Sequence, residues 1–205
     1  MNTVAETPVP PRTPTERLVR ARVALSSSLF IGLMLHDIVR NLPPRHGWWS
    51  SADGIGSAGA MLVILGLVIR SWAAGILPKG LDLATTGPYS LCRHPLYLGS
   101  FAMTVGFCLL IDHLHDYVVM LGPIAGIYYL TMRAEERRLD SVYAVRWQDY
   151  CARVSMFVPW NVRNFRVGRW SVARWMRCRE YRAVLGSVAT LIALEVWRLR
   201  LTGGR

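Results

Sequence analysis

Residues 85–99 have the sequence Thr-Thr-Gly-Pro-Tyr-Ser-Leu-Cys-Arg-His-Pro-Leu-Tyr-Leu-Gly. The Gly87-Pro88 pair predicts a turn, because glycine tolerates positive φ and proline fixes its own φ. Pro95 suits the first position of a helix, where a missing N–H costs nothing, and the apolar run after it continues to Ile111. The stretch therefore predicts a polar turn that leads directly into an apolar helix. The N-terminus of such a helix favours an anionic ligand.

The composition indicates a membrane protein. The chain has 205 residues, of which 52% are hydrophobic, and its net charge of +11 comes almost wholly from arginine, since Lys79 is the one lysine. The arginines flank apolar runs, which favours a membrane protein over one that binds nucleic acid. The four cysteines lack close metal-ligand spacing and are interpreted as reduced and structural. No metal site and no nucleic-acid partner are predicted.

The apolar runs predict an all-α polytopic membrane protein with four to five transmembrane helices. The four clear segments cover about residues 23–39, 55–77, 95–111 and 117–132. A fifth, at 183–197, is short and contains Glu195, so a spanning, an interfacial and a re-entrant helix all stay open. Three regions are predicted: a disordered tail at 1–16, a membrane core at 17–160 and an Arg-rich extension at 161–205.

The distribution of arginine and lysine predicts the orientation. Eighteen of these residues lie before the first apolar segment, in loop 78–95 or in segment 133–182, and two lie in the opposite loops. Because positive charge accumulates on the cytoplasmic side, residues 85–99 are expected to face the cytoplasm. The preference for arginine over lysine favours a bacterial source, and hence the inner membrane.

Three local patterns admit both a structural and a functional interpretation. Gly54, Gly56 and Gly59 form the pattern GxGxxG, but no strand precedes them, so close helix packing is preferred to dinucleotide binding. Arg70 lies near the cytoplasmic end of the second segment and is interpreted as extending to the surface rather than as a site residue. The His113-x-His115 pair is interpreted as a solvated turn rather than as a metal site.

A second motif begins with Glu135-Glu136, after the fourth apolar segment. Taken alone, Glu-Glu-Arg-Arg more often marks a solvated helix with i,i+4 ion pairs. Residues that follow at spacings of four or three share a helical face with Glu135: Leu139, Tyr143, Trp147, Tyr150 and Val154. That face directs Glu135 toward the helix that starts at Pro95. Glu136 lies about 100° around the helix and is expected to pair with an arginine.

Together, the two motifs resemble those of the isoprenylcysteine carboxyl methyltransferases and their phospholipid methyltransferase relatives. The first family motif is matched by Gly87, Tyr89, Arg93, His94, Pro95, Tyr97 and Gly99. The second is matched by Glu135, Glu136, Leu139, Tyr143, Trp147, Tyr150, Val154, Phe157 and Pro159. The resemblance covers about residues 55–160. It implies an integral membrane enzyme that uses S-adenosyl-L-methionine to methylate a lipid-like or hydrophobic acceptor.

The resemblance also implies a cytoplasmic cofactor pocket and its residues. The implied cofactor-binding residues are Leu81, Asp82, Leu83, Ala84, Tyr89, His94, Pro95, Leu96, Tyr97, Glu135 and Glu136. Arg93, His94 and Arg133 are predicted to be catalytic, by orienting or deprotonating the acceptor. Glu135 is the first choice for the ribose hydroxyls, because a carboxylate forms charge-assisted hydrogen bonds with them. Backbone N–H groups of residues 94–96 are expected to hold the cofactor carboxylate.

One departure from the family pattern concerns the substrate. In the prenylcysteine enzymes an arginine for the substrate carboxylate lies one turn before the first Glu, where this chain has Thr131; its nearest arginine is Arg133. A small lipid or hydrophobic metabolite is therefore preferred to a prenylated protein, and no obligate protein partner is expected. The alternatives are an NADPH-dependent sterol or steroid reductase, with Arg137 and Arg138 near the 2′-phosphate, and a non-catalytic membrane protein such as a transporter.

Overall fold

The computed structural model describes residues 14–49, 52–77, 83–160, 163 and 165–202, and over these residues the chain is all-helical. Its α-helices are α1 Pro14–Val39, α2 Gly54–Ile76, α3 Pro95–Ile111, α4 Leu114–Asp116, α5 Gly122–Tyr143, α6 Val145–Arg153, α7 Val172–Arg177 and α8 Tyr181–Thr202. A 3₁₀ turn covers Gly87–Ser90, and a π-helical turn covers Tyr117–Leu121. The predicted all-α class is confirmed.

The helix starting at Pro95 has the bounds that its sequence predicts. Pro95 occupies the first helical position, and Asp112, with φ 55°, caps the end. The fourth predicted helix is more complex, because a π-helical turn leads into α5 at Gly122. Pro123 lacks the N–H of a regular α-helical bond, which accounts for a widened turn just before it. The first helix begins at Pro14, inside the segment predicted to be a disordered tail; residues 1–13 lie outside the described residues.

Helices α2 and α3 make the most extensive contact in the structure. Their backbones approach closely at two glycine pairs, Gly59 with Gly106 and Gly66 with Gly99. A Cβ at Gly106 would lie 2.6 Å from the carbonyl oxygen of Gly59, and a Cβ at Gly99 would lie 2.6 Å from that of Gly66. The packing interpretation of the glycine pattern is therefore confirmed for Gly59, because small residues allow such an approach.

The two ends of the helix bundle are chemically distinct. At one end, here called the motif end, α2 ends, α3 begins and residues 155–156 form backbone hydrogen bonds with the turn at residues 87–94. At the far end, loop 40–53 meets the C-terminus of α3, since the N–H of Arg45 donates to the carbonyl of Ile111 at 3.2 Å. Helix α8 runs between these ends: Glu180 beside its start contacts Arg70, and Glu195 near its other end accepts from the N–H of Trp48 at 3.3 Å.

One helix among the described residues, Gly54–Ile76, is long and apolar enough to cross a membrane by length and composition. Two shorter apolar helical stretches lie at Leu25–Val39 and Pro95–Ile111. The number of spans, four to five, thus stays a prediction. Many apolar side chains on α2, α5 and α8 are exposed, among them Met61, Ile64, Leu130, Leu185 and Ile192. An apolar outer surface of this extent is typical of helices that face lipid.

Candidate functional site

The turn of residues 87–94 is tied to the chain that follows the second motif. Gly87 has φ +60°, and its N–H donates to the carbonyl of Arg166 at 2.6 Å. The Ser90 hydroxyl donates to the carbonyl of Gly87 at 2.6 Å and accepts from the N–H of Arg166 at 3.1 Å. A positive φ favours glycine, and Ile76 occupies the space that a Cβ would need.

A short parallel contact joins the two motifs. Cys92 forms a β-bridge with Ser155, and the N–H of Arg93 donates to the carbonyl of Ser155 at 2.8 Å. The N–H of His94 donates to the carbonyl of Met156 at 3.2 Å. The segment after α6 therefore holds the entrance of α3 by backbone hydrogen bonds, together with the Ser155 hydroxyl, which donates to the carbonyl of Leu91 at 3.4 Å, and the ring contact of Phe157 with Phe101. Side-chain patterns in the sequence give no sign of this contact.

Glu135 and Glu136 meet the first motif in two separate contacts. The hydroxyl of Tyr97 donates to Glu135 at 2.9 Å. Glu136 pairs with Arg93 at 2.9 Å and with Arg133 at 3.3 Å. His94 lies between the two glutamates, with Nδ1 3.8 Å from Glu135 and Nε2 3.5 Å from Glu136. The structure thus brings together all six of these predicted residues, and Glu136 pairs with arginine as its helical position predicts.

The two glutamates differ in accessibility. The side chain of Glu135 is 33% exposed, whereas that of Glu136 is 9% exposed. Burial alone would raise the pKa of Glu136, but the His94 imidazole 3.5 Å away and the positive charges of Arg93 and Arg133 hold that pKa below its usual value. Glu136 is therefore a fixed anion inside the site, and Glu135 is the carboxylate that a ligand can reach.

Arg93 is held on three sides. It pairs with Glu136, its guanidinium lies 5.8 Å from the ring centre of Trp147, and its Nη1 lies 3.5 Å from the carbonyl of Cys151. Its Nε is buried and has no hydrogen-bond partner among the described residues. Trp147 is absent from the site predicted by the sequence. Its place four residues after Tyr143 in the second motif is the signal that would have included it.

Four tyrosines lie around the two motifs, and one of them, Tyr97, binds Glu135. Tyr89 is buried; its hydroxyl has no hydrogen-bond partner among the described residues, and its carbonyl accepts from Tyr150 at 2.6 Å. The ring of Tyr97 packs edge-on against Tyr128 at 5.3 Å and against His94 at 5.7 Å. Tyr128 was not predicted, although it lies seven residues before Glu135 and so on the same face of α5.

Fewer backbone N–H groups of residues 94–96 are available to bind the cofactor carboxylate than the sequence predicts. The N–H of His94 is used by Met156, and Pro95 has no N–H. Leu96 supplies the backbone N–H of this turn that has no acceptor among the described residues. The expectation of several N–H groups is therefore corrected to one, because the segment after α6 occupies the first.

The predicted residues before the turn have a packing role where they are described. Leu83 packs against the cluster of Trp147, Tyr150 and Val154, and Ala84 packs against the cluster around Ile76. Leu81 and Asp82 lie outside the described residues.

Arg70 does not extend to the surface, so that interpretation is wrong. It forms a two-point ion pair with the buried Glu180, with N···O distances of 2.6 and 3.0 Å, and it also contacts the hydroxyl of Ser100. An arginine at this depth needs a partner, and the C-terminal segment supplies one that lies far away in sequence.

Among the described residues, the predicted cofactor residues line neither of two apolar cavities near α1. A cleft of about 280 Å³ lies between α1 and α8, and a narrower space lies among Phe30, Phe107, Cys108 and Met120. The cofactor pocket thus stays a prediction.

Comparison with known proteins supports the resemblance carried by the two motifs. Residues 75–146 match the family described as phospholipid methyltransferase. The chain is 30% identical over 156 residues to the nickel-cobalt-cadmium resistance protein NccN of Alcaligenes xylosoxydans xylosoxydans, covering 75% of this chain and 67% of that protein. It is 34% identical over 103 residues to the cobalt-zinc-cadmium resistance protein CzcN of Cupriavidus metallidurans, covering 49% of this chain and 47% of that protein.

An enzyme is also among the relatives. The chain is 27% identical over 135 residues to the protein-S-isoprenylcysteine O-methyltransferase of Rattus norvegicus, covering 56% of this chain and 44% of the enzyme. It therefore spans about two thirds of NccN and about half of the other two relatives. No solved structure matches the chain. The order of the two motifs and these matches lead to one assignment: the chain belongs to the integral membrane methyltransferase family that includes the isoprenylcysteine carboxyl methyltransferases and the phospholipid methyltransferases.

Proposed function

We propose that this protein transfers the methyl group of S-adenosyl-L-methionine to a lipid-like acceptor at the cytoplasmic face of the membrane. The observation that carries the proposal is the contact between the two family motifs, in which Tyr97 binds Glu135 while Arg93 and Arg133 bind Glu136. This contact leaves the partly exposed carboxylate of Glu135 beside the N-terminus of α3. A polar ligand with hydroxyl groups and a carboxylate suits such a site.

The unused polar groups at the site fit this cofactor. The Tyr89 hydroxyl and the Arg93 Nε–H are buried donors without a hydrogen-bond partner among the described residues, and they suit the cofactor carboxylate. Glu135 suits the ribose hydroxyls, because its side chain is partly exposed and acceptor-only when ionised. When bound, the cofactor supplies a methyl group activated by a cationic sulfur.

The residues assigned here divide into two roles. Glu136 positions Arg93 and His94, since it contacts both and is buried. Arg133 is available to the acceptor, because its side chain is 56% exposed and only its Nη1 contacts Glu136. A carboxylate acceptor is already ionised at neutral pH and needs an arginine to orient it rather than a base. We therefore propose an anionic or readily ionised headgroup on a hydrophobic carrier.

An apolar tail has space to approach along α5. A Cβ built at Gly122 or Gly126 would meet no atom within 4 Å, and both residues precede Glu135 on the same helix. A substrate that arrives sideways from the bilayer would thus reach the site while the cofactor enters from the cytoplasm. For an amine or thiol acceptor, we propose that His94 accepts the proton, since its ring lies within 4 Å of both glutamates.

The names of NccN and CzcN favour a second, physiological proposal. Those names assign the two relatives to resistance against nickel, cobalt, zinc and cadmium. We propose that methylation by this chain contributes to tolerance of such ions. A strain lacking the gene is expected to regain tolerance with the parent sequence but not with Glu135→Gln. Equal rescue by both sequences would separate tolerance from methyl transfer.

Methyl transfer itself is tested with purified protein in detergent. We expect label from methyl-labelled S-adenosyl-L-methionine to appear in acidic lipids, and Arg133→Ala to lower this turnover about tenfold or more. Arg137→Ala is the matched control, because Arg137 is an exposed arginine one turn along the same helix. Labelling confined to amine lipids and unchanged by Arg133→Ala would refute the anionic acceptor. Stabilisation by NADPH but not by S-adenosylhomocysteine would favour the reductase.

A further inference from the structure

A second polar cluster lies at the far end of the bundle, away from both motifs. His36 and Asp37 at the end of α1 meet His115 of α4. Asp37 Oδ1 lies 3.1 Å from His36 Nδ1 and 2.7 Å from His115 Nε2, and all three ligand atoms fall within 4.8 Å of one another. Donors about 2.1 Å from a tetrahedral cation stand roughly 3.4 Å apart, so this spacing already suits a bound ion.

Two buried carboxylates at this cluster have unused acceptors. Asp37 is fully buried, and its Oδ2 has no hydrogen-bond partner among the described residues. Asp116 is 1% exposed; neither of its oxygens has a hydrogen-bond partner in the same part of the chain, and Oδ1 lies 3.6 Å from His115 Nε2. Buried carboxylate oxygens without a hydrogen-bond partner are costly, and a cation between the two groups removes that cost. The interpretation of the His113-x-His115 pair as a solvated turn is wrong for His113, which is buried.

The residues around this cluster fix the position of His115 and leave His36 open to solvent. His113 stacks on His115 with ring centres 5.6 Å apart, and its Nε2 lies 3.3 and 3.2 Å from the carbonyl oxygens of Leu42 and Pro43. His113 therefore positions His115 rather than serving as a ligand. The His36 side chain is 51% exposed, so an ion can reach the cluster from the solvent side.

We infer that His36, Asp37 and His115, with Asp116 beside them, bind a divalent transition-metal ion of the zinc, cobalt and nickel class. Two imidazoles with one or two carboxylates are typical of these ions, whereas magnesium and calcium prefer sites built from oxygen alone. The ion would cross-link the end of α1 to α4. This site is separate from the proposed methyl-transfer site, since the motifs lie at the opposite end of α3.

The test measures metal binding directly and does not depend on methyl transfer. The full-length chain, without a polyhistidine tag and stripped with a chelator, is titrated with Co²⁺ and then with Zn²⁺. We expect one equivalent of Co²⁺ with a visible absorption spectrum of a site containing imidazole, displacement by Zn²⁺, no response to Mg²⁺, and a higher Tm with metal. Asp37→Asn and His115→Gln should lose this spectrum, and His36→Ala should weaken binding about tenfold or more.

His46→Asn is the matched control, because His46 lies at the same end of the bundle and pairs with Asp53 and Asp112 instead. It should bind Co²⁺ as the parent does. Circular dichroism of the metal-free variants establishes that they are folded. No stoichiometric Co²⁺ binding by the parent, an equal response to Mg²⁺, or parent-like binding by a folded His115→Gln and Asp37→Asn would overturn the proposal. So would loss of the spectrum in His46→Asn alone.

Discussion

Buried carboxylates lie at both ends of the bundle, but their partners differ. At the motif end Glu136 and Glu180 pair with Arg93, Arg133 and Arg70, whose charge is permanent, although Glu136 also lies 3.5 Å from His94. At the far end the described ion-pair partners of Asp37 and Asp116 are histidines. The pKa of Glu136 is accordingly lowered, whereas burial and the nearby charge of Asp37 raise the pKa of Asp116 to about 6.

This difference separates two uses of a buried acid. A carboxylate paired with arginine is a permanent anion that positions its neighbours. A carboxylate surrounded by histidines and a second carboxylate keeps unused acceptors, and its charge state depends on what binds. The motif end is thus arranged to hold a fixed geometry, and the far end is arranged to accept a cation.

Replacement of Arg93 should have the largest effect on stability. Arg93→Ala leaves Glu136 buried with a single exposed arginine and a histidine, so we expect the free energy of unfolding to fall by about 3–5 kcal/mol. Thermal unfolding in detergent measures the change, with Arg137→Ala as the exposed control. If Arg93→Ala and Arg137→Ala unfold at the same temperature, the arginine partners of Glu136 do not stabilise the motif end as proposed.

Disruption of the contact between α2 and α3, which run between the two ends of the bundle, should have the second largest effect on stability. Gly106→Ala places a Cβ 2.6 Å from the carbonyl oxygen of Gly59, so α2 and α3 must separate, at a cost of about 1–3 kcal/mol. Gly126→Ala is its matched control, since nothing lies within 4 Å of that Cβ and alanine favours the helix. A neutral Gly106→Ala would show that the close packing of α2 on α3 does not set the bundle geometry.

The dependence of stability on pH should be the smallest effect. Because the pKa of Glu136 is lower in the folded protein, its pairing stabilises the fold above the ordinary carboxyl pKa of about 4.3 and is lost as the pH falls through the lowered value. Tm is measured between neutral pH and about pH 3 for the parent and for Glu136→Gln. The two curves should converge at the acid end; parallel curves would remove Glu136 as the source.

The sequence predicts the parts of this structure that depend on neighbouring residues. Pro95 begins α3 as its local chemistry predicts, and the spacing of Glu135 and Glu136 predicts that one faces the start of α3 while the other pairs with arginine. These features follow from φ preferences and helical periodicity, which act within a few turns.

The features that the sequence did not predict depend on contacts between residues that are far apart in the chain. Arg70 and Glu180, or His36 and His115, carry no mutual signal in the sequence, because only the packing of α8 and α1 brings each pair together. The same holds for the backbone contact of Met156 with His94, which removed one of the N–H groups expected to bind the cofactor carboxylate. The His113-x-His115 pattern is visible in the sequence, but the sequence does not indicate that Asp37 and Asp116 are buried beside His115.

Binding of S-adenosylhomocysteine, measured by calorimetry, tests the central claim most directly. We expect the parent chain to bind it and Glu135→Gln to bind about ten- to a hundredfold more weakly, because a charge-assisted hydrogen bond contributes roughly 1.5–3 kcal/mol. His46→Asn, at the far end, should bind as the parent does. Unchanged affinity in a folded Glu135→Gln variant, or no binding by the parent, would contradict the assignment of the motif end as the cofactor site.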